Sequence, residues 1–265
     1  MPEPWRPTPL VAGSAALHLA GATALALAPH LWPTIFGGLF ANHVVLAANS
    51  LWPQSPYLGP TLSRLPEAAV HRGEVALTFD DGPDPEVTPR VLDLLDAAGA
   101  RASFFCIGRR AAAHPEIVRE IARRGHRVEN HTWSHPNLFA CYAPAAQREE
   151  MERAQEVLGD AAGRRPTFFR APAGFRNPFL DRELWTARLT LAAWTRRGYD
   201  TVESDPARVA ERLLRDLAAG DILLLHDGTA LRDRGNRVAL EVLPRVLDGL
   251  AARGLRSVPL GSDPD

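Results

Sequence analysis

Thr78-Phe79-Asp80-Asp81-Gly82-Pro83 follows directly on the apolar run Val75-Ala76-Leu77. A short apolar run closed by Gly-Pro reads as a buried strand that ends in a sharp turn. Two adjacent carboxylates stand at its tip. Buried like charges repel each other and lose water, so the pair asks for a compensating group, and a bound cation is one. Asp-Gly-Pro is also ordinary turn chemistry, and the pair alone decides nothing about function.

Downstream of this strand the pattern alternates. Strands are predicted over 74–79, 102–107, 127–130, 167–169, 189–194, 222–225 and 255–259. Helices are predicted over 87–98, 114–124, 144–158, 179–188, 206–219 and 238–253. Val87, Val91, Leu94 and Leu95 have helical spacing, and Gly99, Gly125 and Gly220 act as stops. Repeated strand-then-helix order implies an α/β fold, a parallel sheet with crossover helices that is either open or closed into a barrel. In both forms chemistry belongs at the C-terminal ends of the strands.

Upstream, no Asp, Glu, Lys or Arg occurs between Pro7 and Ser63. Two apolar runs divided by Pro33 are each about the roughly 20 residues a bilayer-spanning helix needs. Trp5, Trp32 and Trp52 fall near their ends, as interface aromatics do. A cleaved signal peptide is the rival reading, but Arg6 beside Glu3 makes a poor basic leader and a second apolar run follows. We read 1–53 as an apolar segment forming a transmembrane helical hairpin, 54–72 as a Pro-rich linker, 73–260 as the α/β domain and 261–265 as a tail. Arg6, Arg64 and Arg72 are too few for charge to choose the facing side.

The chain of 265 residues carries a net charge of −1, and all 30 of its basic residues are Arg. No basic field argues for nucleic acid as a partner. Cys106 and Cys141 form no metal-spaced pair, and Cys106 sits in the apolar run Phe104–Ile107 as a small core hydrophobe.

The polar residues after the other strands are therefore the candidates. His131-Thr132-Trp133-Ser134-His135 places two imidazoles four apart, on one face of a helical turn. With a carboxylate from another strand tip they make an open three-ligand set of the kind catalytic zinc uses. Arg170-Ala171-Pro172-Ala173-Gly174 offers a cation for a strand-end carboxylate. His226-Asp227-Gly228 is a third His-bearing strand end. Each alone is as readily a polar turn; their coincidence carries the weight.

Together these strand ends resemble the NodB-homology polysaccharide deacetylases, carbohydrate esterase family four, over roughly residues 73–260. The motifs stand here as Thr78–Pro83, His131–His135, Arg170–Gly174, Trp194 with Asp200, and Leu224-Leu225-His226. The resemblance implies a distorted (β/α) barrel with fewer than eight strands. It further implies that Asp81, His131 and His135 hold one divalent metal, with Zn²⁺ expected and Co²⁺ as an alternative. Asp80 would be the base that deprotonates the metal-activated water, and Arg170 would keep it oriented and charged. His226 would be the acid that protonates the leaving amine, tuned by Asp200. Ala173 would supply a backbone N–H to the acyl oxygen, and Trp194 and Leu224 would wall the acetyl pocket.

The chain departs from the family at Ala173, where a Tyr is frequent, and at Arg197, where an acid is frequent; Asp200 is followed by Thr201 rather than Trp. Arg196-Arg197 at the rim would suit an anionic group on a substrate, or be ordinary surface arginines. The implied activity is N-deacetylation of a GlcNAc-containing polysaccharide or oligosaccharide at a bacterial membrane, with the catalytic domain extracytoplasmic. The alternatives are deacylation of a lipid-linked amino sugar and a catalytically silent glycan-binding protein on the same fold.

Overall fold

Strand β1, Glu74–Asp80, is the axis of the sheet, and every one of its residues is buried. In the computed structural model, which describes residues 4–229 and 234–262, it is flanked by β2 (Ala102–Cys106) and β7 (Ile222–His226). Beyond β2 lie β3 (Arg127–Asn130), β4 (Phe168–Phe169) and β5 (Thr190–Leu191), and beyond β7 lies β6 (Arg196–Arg197). β8, Arg256–Ser257, pairs with the start of β1. Every pairing in this curled sheet is parallel.

Strand periodicity sorts the side chains. On β1, Leu77 and Phe79 join the outer core under the helices, together with Phe104 of β2 and Leu223 and Leu225 of β7. Ala76, Phe105, Ile222 and Leu224 point to the opposite, inner side and pack with Trp194. Because successive residues alternate, Thr78 and Asp80 share the inner face with Ala76, and His226 shares it with Leu224. Register pairs Asp80 with His226. A one-residue slip would send both to the helix-covered side.

The outer layer comprises α4 (Thr88–Ala97), α6 (Pro115–Arg123), α7 (Pro144–Ala162), α9 (Pro206–Leu214) and α10 (Arg237–Ala251), with α8 (Leu180–Ala187) packing around Phe139, Phe169 and Leu191. An additional short helix, α5 (Gly108–Ala113), precedes α6. The two are separated at His114, whose φ/ψ of −134°/56° is the non-helical backbone that a following proline enforces. Gly108–Ala113 lacks an apolar period, so nothing in its sequence marked it as a helix. The strand predicted over 189–194 keeps only β5, and the chain then turns to form β6.

Residues 54–72 are fastened to the barrel. Leu62 N–H donates to Leu191 O at 2.8 Å and Leu62 O accepts from Ala193 N–H at 2.8 Å, while Leu65 N–H donates to Gly220 O at 2.8 Å. This stretch thus stitches the seam between the β5 edge and β7, and α3 (Glu67–His71) follows it. Its prolines shape an extended stitch.

At the N-terminus α1 (Pro9–Leu27) and α2 (Trp32–Ser50) form an antiparallel pair joined by a single 3₁₀ turn. Both are long and apolar enough to cross a membrane, and nearly all of their side chains are uncovered. Gly21 lets them approach at Ile35 and Leu39. Asn42 Nδ2 donates to Ser14 Oγ at 2.9 Å, and the His18 and His43 rings meet edge-on at 5.1 Å. The free ends of the hairpin are pinned to the barrel: Trp5 Nε1 donates to Asp181 Oδ2 at 2.8 Å, and Thr8 Oγ1 to Tyr57 O at 2.7 Å. Cys106, buried, and Cys141, exposed, are both free thiols.

Candidate active site

The inner face of β1 delivers Asp80 to a groove of about 1370 Å³ at the C-terminal ends of the strands. Arg170, which follows β4, crosses the barrel interior to meet it. Its Nη1 donates to Asp80 Oδ1 at 2.7 Å and to Thr78 Oγ1 at 2.9 Å, and its Nη2 donates to Ala193 O at 3.1 Å. The guanidinium lies 4.0 Å over the Phe105 ring. A fully buried cation is tolerable because its carboxylate partner and carbonyl acceptors surround it.

One residue on, the backbone turns. Asp81 has φ +74°, and the cis Gly82–Pro83 peptide follows. A Cβ on Gly82 would collide with the buried carboxylate of Asp227, which itself accepts from Thr88 Oγ1 at 2.5 Å. Asp81 O accepts from Arg110 Nη1 at 2.6 Å. The reversed φ swings the Asp81 carboxylate away from that of Asp80 and toward two imidazoles. Asp81 Oδ1 lies 3.4 Å from His131 Nε2 and 3.3 Å from His135 Nε2.

The two histidines are not on a helical turn. His131 leaves the end of β3, and the chain folds tightly through Thr132 (φ +64°) to His135 (φ +53°). Hydrogen bonds hold this turn: His135 N–H to Thr132 Oγ1 at 2.9 Å, and both Ser134 N–H and Oγ to the Glu150 carboxylate at 2.8 Å. Local side-chain acceptors outcompete helical backbone bonding here. The rings are still brought to 4.8 Å between centroids. His131 Nδ1 bonds to Arg170 O at 2.8 Å; a carbonyl only accepts, so Nδ1 carries the proton and Nε2 faces Asp81. One ligand atom each from Asp81, His131 and His135 lies within 4.8 Å of the others, so these residues can hold a single divalent metal. Two imidazoles and one carboxylate with room beside them are a fitting donor set for such an ion.

Charges across the site are coupled. Burial works against a charged Asp81, but the hydrogen bond from His131 and the fields of His226, His135 and His131 hold its carboxyl well below the usual carboxylate range. Burial, with His131 beside it, pushes His135 down to about 4, leaving it neutral at pH 7 with a lone pair to offer. Burial also opposes charge on His131, but Asp80 and Asp81 outweigh it and raise its pKa.

His226 stands across the groove from the imidazole pair. Its Nδ1 lies 2.9 Å from Asp200 Oδ1, while its backbone N–H donates to Asp200 Oδ2 at 2.8 Å. Asn236 Nδ2 also donates to Oδ2, at 2.8 Å. Burial disfavours the imidazolium, but Asp200 prevails and lifts His226 to about 9. Trp194, Leu224, Ala173 and Arg197 all line the same groove. Ala173 has φ +56° in a 3₁₀ turn over Pro172–Gly174, held against the foot of the hairpin. A Cβ on Gly174 would stand 2.6 Å from Trp194 Cη2 and 2.8 Å from Pro53 Cγ, and Gln54 Nε2 donates to Trp194 O.

Every site residue drawn from the sequence therefore lies in or directly behind one groove. Sequence reasoning missed the supports: Arg110 under Asp81, Asp227 behind Gly82, Asn236 on Asp200 and Glu150 under Ser134. Asp227 adjoins His226 in the sequence and was the one with a visible signal. The others sit on helices or loops whose position only the fold reveals.

Comparison with known proteins agrees with this geometry. The polysaccharide deacetylase family profile matches residues 67–190. A peptidoglycan-N-acetylglucosamine deacetylase of Bacillus cereus is 34% identical over 191 residues, spanning 69% of this chain and 84% of that protein. A chitooligosaccharide deacetylase of Sinorhizobium fredii is 31% identical over 206 residues, spanning 75% of this chain and 96% of its own. The crystal structure of a peptidoglycan N-acetylglucosamine deacetylase bound to an N-hydroxybenzamide superposes with a TM-score of 0.66 at 31% identity, over 76% of this chain and 90% of that one. Barrel, strand-end residues and relatives agree, and the chain belongs to the polysaccharide deacetylases, the NodB-homology family of carbohydrate esterases.

Proposed function

We propose that this protein is a divalent-metal-dependent amidohydrolase that removes N-acetyl groups from a GlcNAc-containing glycan while anchored in a membrane by α1 and α2. The observation that carries this reading is the meeting of Asp80, Asp81, His131, His135, Arg170 and His226, from four strand ends, beside one groove. The deacetylase names of its relatives support it.

Asp81, His131 and His135 would hold the cation, with Zn²⁺ preferred for its affinity for imidazole and carboxylate in open sites and Co²⁺ as the alternative. When bound, it supplies Lewis-acid chemistry, acidifying water and polarising the acyl oxygen. Asp80 takes the proton of the attacking water, and Arg170 fixes its second oxygen so that one lone-pair face points into the groove. The Ala173 backbone N–H donates to the oxyanion as it forms. His226 gives its proton to the departing amine, because an amine anion does not leave at neutral pH, and Asp200 holds the imidazolium form ready. Trp194 and Leu224 bound the small acyl group.

The test is release of acetate or formate from a panel of N-acylated amino sugars by the full chain in detergent with Zn²⁺ or Co²⁺. No release across the panel would remove the enzymatic reading and leave a glycan-binding protein.

One observation favours a second substrate reading, a lipid-linked amino sugar. Pro53, at the foot of the hairpin, packs on Gly174 beside Trp194, so the groove opens within a side chain's length of the apolar helices. A reporter fused to the C-terminus, active on one side only, distinguishes outer-face wall polymers from inner-face lipid precursors.

A further inference from the structure

Arg196 and Arg197 are neighbours on β6, and the strand sends them to different surroundings. Arg196 is neutralised inside the protein: its Nε donates to Asp221 Oδ2 at 3.0 Å and its Nη2 to Asp216 O. Arg197 lines the catalytic groove beside Leu224, its register partner. Its guanidinium lies 4.9 Å over the Tyr199 ring and 5.5 Å from the Trp194 ring, two aromatic faces that fix the side chain without using its hydrogen bonds. Its Nε is buried and has no hydrogen-bond partner, and among the described residues no carboxylate pairs with it.

The acids nearby are already engaged. Asp200 serves His226 and Asn236, Glu203 pairs with Arg212 at 3.3 Å, Asp221 takes both Arg64 and Arg196, and Asp80 takes Arg170. A partly buried guanidinium with an unfilled donor is costly unless something arrives to satisfy it. The planar fork of an arginine matches a carboxylate or a phosphate, and neither group can be supplied by neighbouring side chains.

We propose that Arg197 binds an anionic substituent, a carboxylate or a phosphate, carried by the amino sugar whose acyl group is removed, so that the substrate is an acidic rather than a neutral glycan unit. This rests on the amidohydrolase reading of the same groove. The anion would lie on the Leu224 and Trp194 side, next to the acyl pocket, where it orients the sugar for attack.

The experiment compares kcat/KM of the metal-loaded full chain on three substrates: a neutral N-acetylglucosamine oligomer, the same oligomer with a carboxylate ether on the acylated sugar, and an N-acetylglucosamine phosphate ester. The wild type is expected to favour at least one anionic substrate by about tenfold, the scale of one charge-assisted hydrogen bond. Which anion wins distinguishes a carboxylated wall sugar from a phosphate-linked one. Arg197→Met keeps the apolar stem over the aromatics and should erase that preference, while Arg197→Lys should retain part of it. Equal rates on all three substrates, or an anionic preference that survives Arg197→Met, overturns the proposal. Should no substrate turn over, the amidohydrolase reading fails by itself, and calorimetric binding of the same sugars still decides the role of Arg197. An anion-over-neutral ratio of Kd values that Arg197→Met leaves unchanged overturns it there too.

Discussion

Arg170 Nη1 stands 2.7 Å from Asp80 Oδ1, and neither side chain is more than 5% exposed. The pair spans the barrel interior and joins β1 to the residue after β4, so the base candidate is built into the core of the fold. Position and hydrogen bonding of Asp80 are thereby fixed together.

Breaking this pair should cost more than catalysis. Arg170→Met leaves a buried carboxylate alone, and urea unfolding should show about 3–5 kcal/mol lost. Asp80→Asn keeps the hydrogen-bond geometry and should lower turnover by roughly 10²–10⁴ while retaining metal. Loss of metal on that substitution, read by elemental analysis, would make Asp80 a ligand instead.

The alkaline limb of the pH profile should belong to His226. Its pKa is raised from 6.5 to about 9 by Asp200, so the imidazolium and the stability it brings are fully present below about 6.5 and lost as pH rises through about 9. Asp200→Asn removes the cause, and the falling limb of kcat/KM should move toward lower pH by a unit or more. A limb that stays in place would assign the acid to another group.

Metal binding should release protons. Asp80 and Asp81 raise the pKa of His131 and so favour a proton on it, whereas His135, lowered to about 4, has none to give at pH 7. A metal at Nε2 of His131 competes with that proton. Calorimetric titrations with Zn²⁺ in two buffers of different ionisation enthalpy should therefore give different apparent heats, and identical heats would contradict the coupling.

Gly174→Ala tests the wall between hairpin and groove. At φ +78° a side chain costs about 1–2 kcal/mol of backbone energy, and the new Cβ would press on Trp194 and Pro53. Stability should fall by at least that amount, and hydrolysis of an acetyl substrate should fall more than that of a formyl one. Equal losses on both would mean that Trp194 does not bound the acyl pocket.

Much of this site was legible because strand ends are. Asp80-Asp81 and His226 close apolar runs, Arg170 follows Phe168-Phe169 and His131 follows the short strand Arg127–Asn130, and parallel topology gathers such positions at one edge. The 131–135 turn was misread as helical because spacing reports that two imidazoles can meet, not the backbone that makes them meet. Thr132, Ser134 and Glu150 supply that backbone through side-chain bonds that no periodicity encodes. Residues 54–72 read as a linker because prolines look alike in slack chain and in an edge stitch; Leu62 and Leu65 find their partners 129 and 155 positions away, at Leu191 and Gly220. The roles of Arg196 and Arg197 were likewise inseparable until β6 placed one on Asp221 and the other in the groove.

The stitch at Leu62 and Leu65 leaves no slack between hairpin and barrel. Gln54 is bonded to Trp194, Ser55 O and Thr61 Oγ1 are held by Arg176, and Leu62 is sewn to β5. A free linker of this length would let the catalytic domain range over about 5–6 Å times the square root of its residue number. Here those hydrogen bonds hold the stretch against the barrel instead. In the proposed setting, with α1 and α2 in a bilayer, the groove would work at one fixed altitude and meet sugars that come to the membrane rather than forage through a wall.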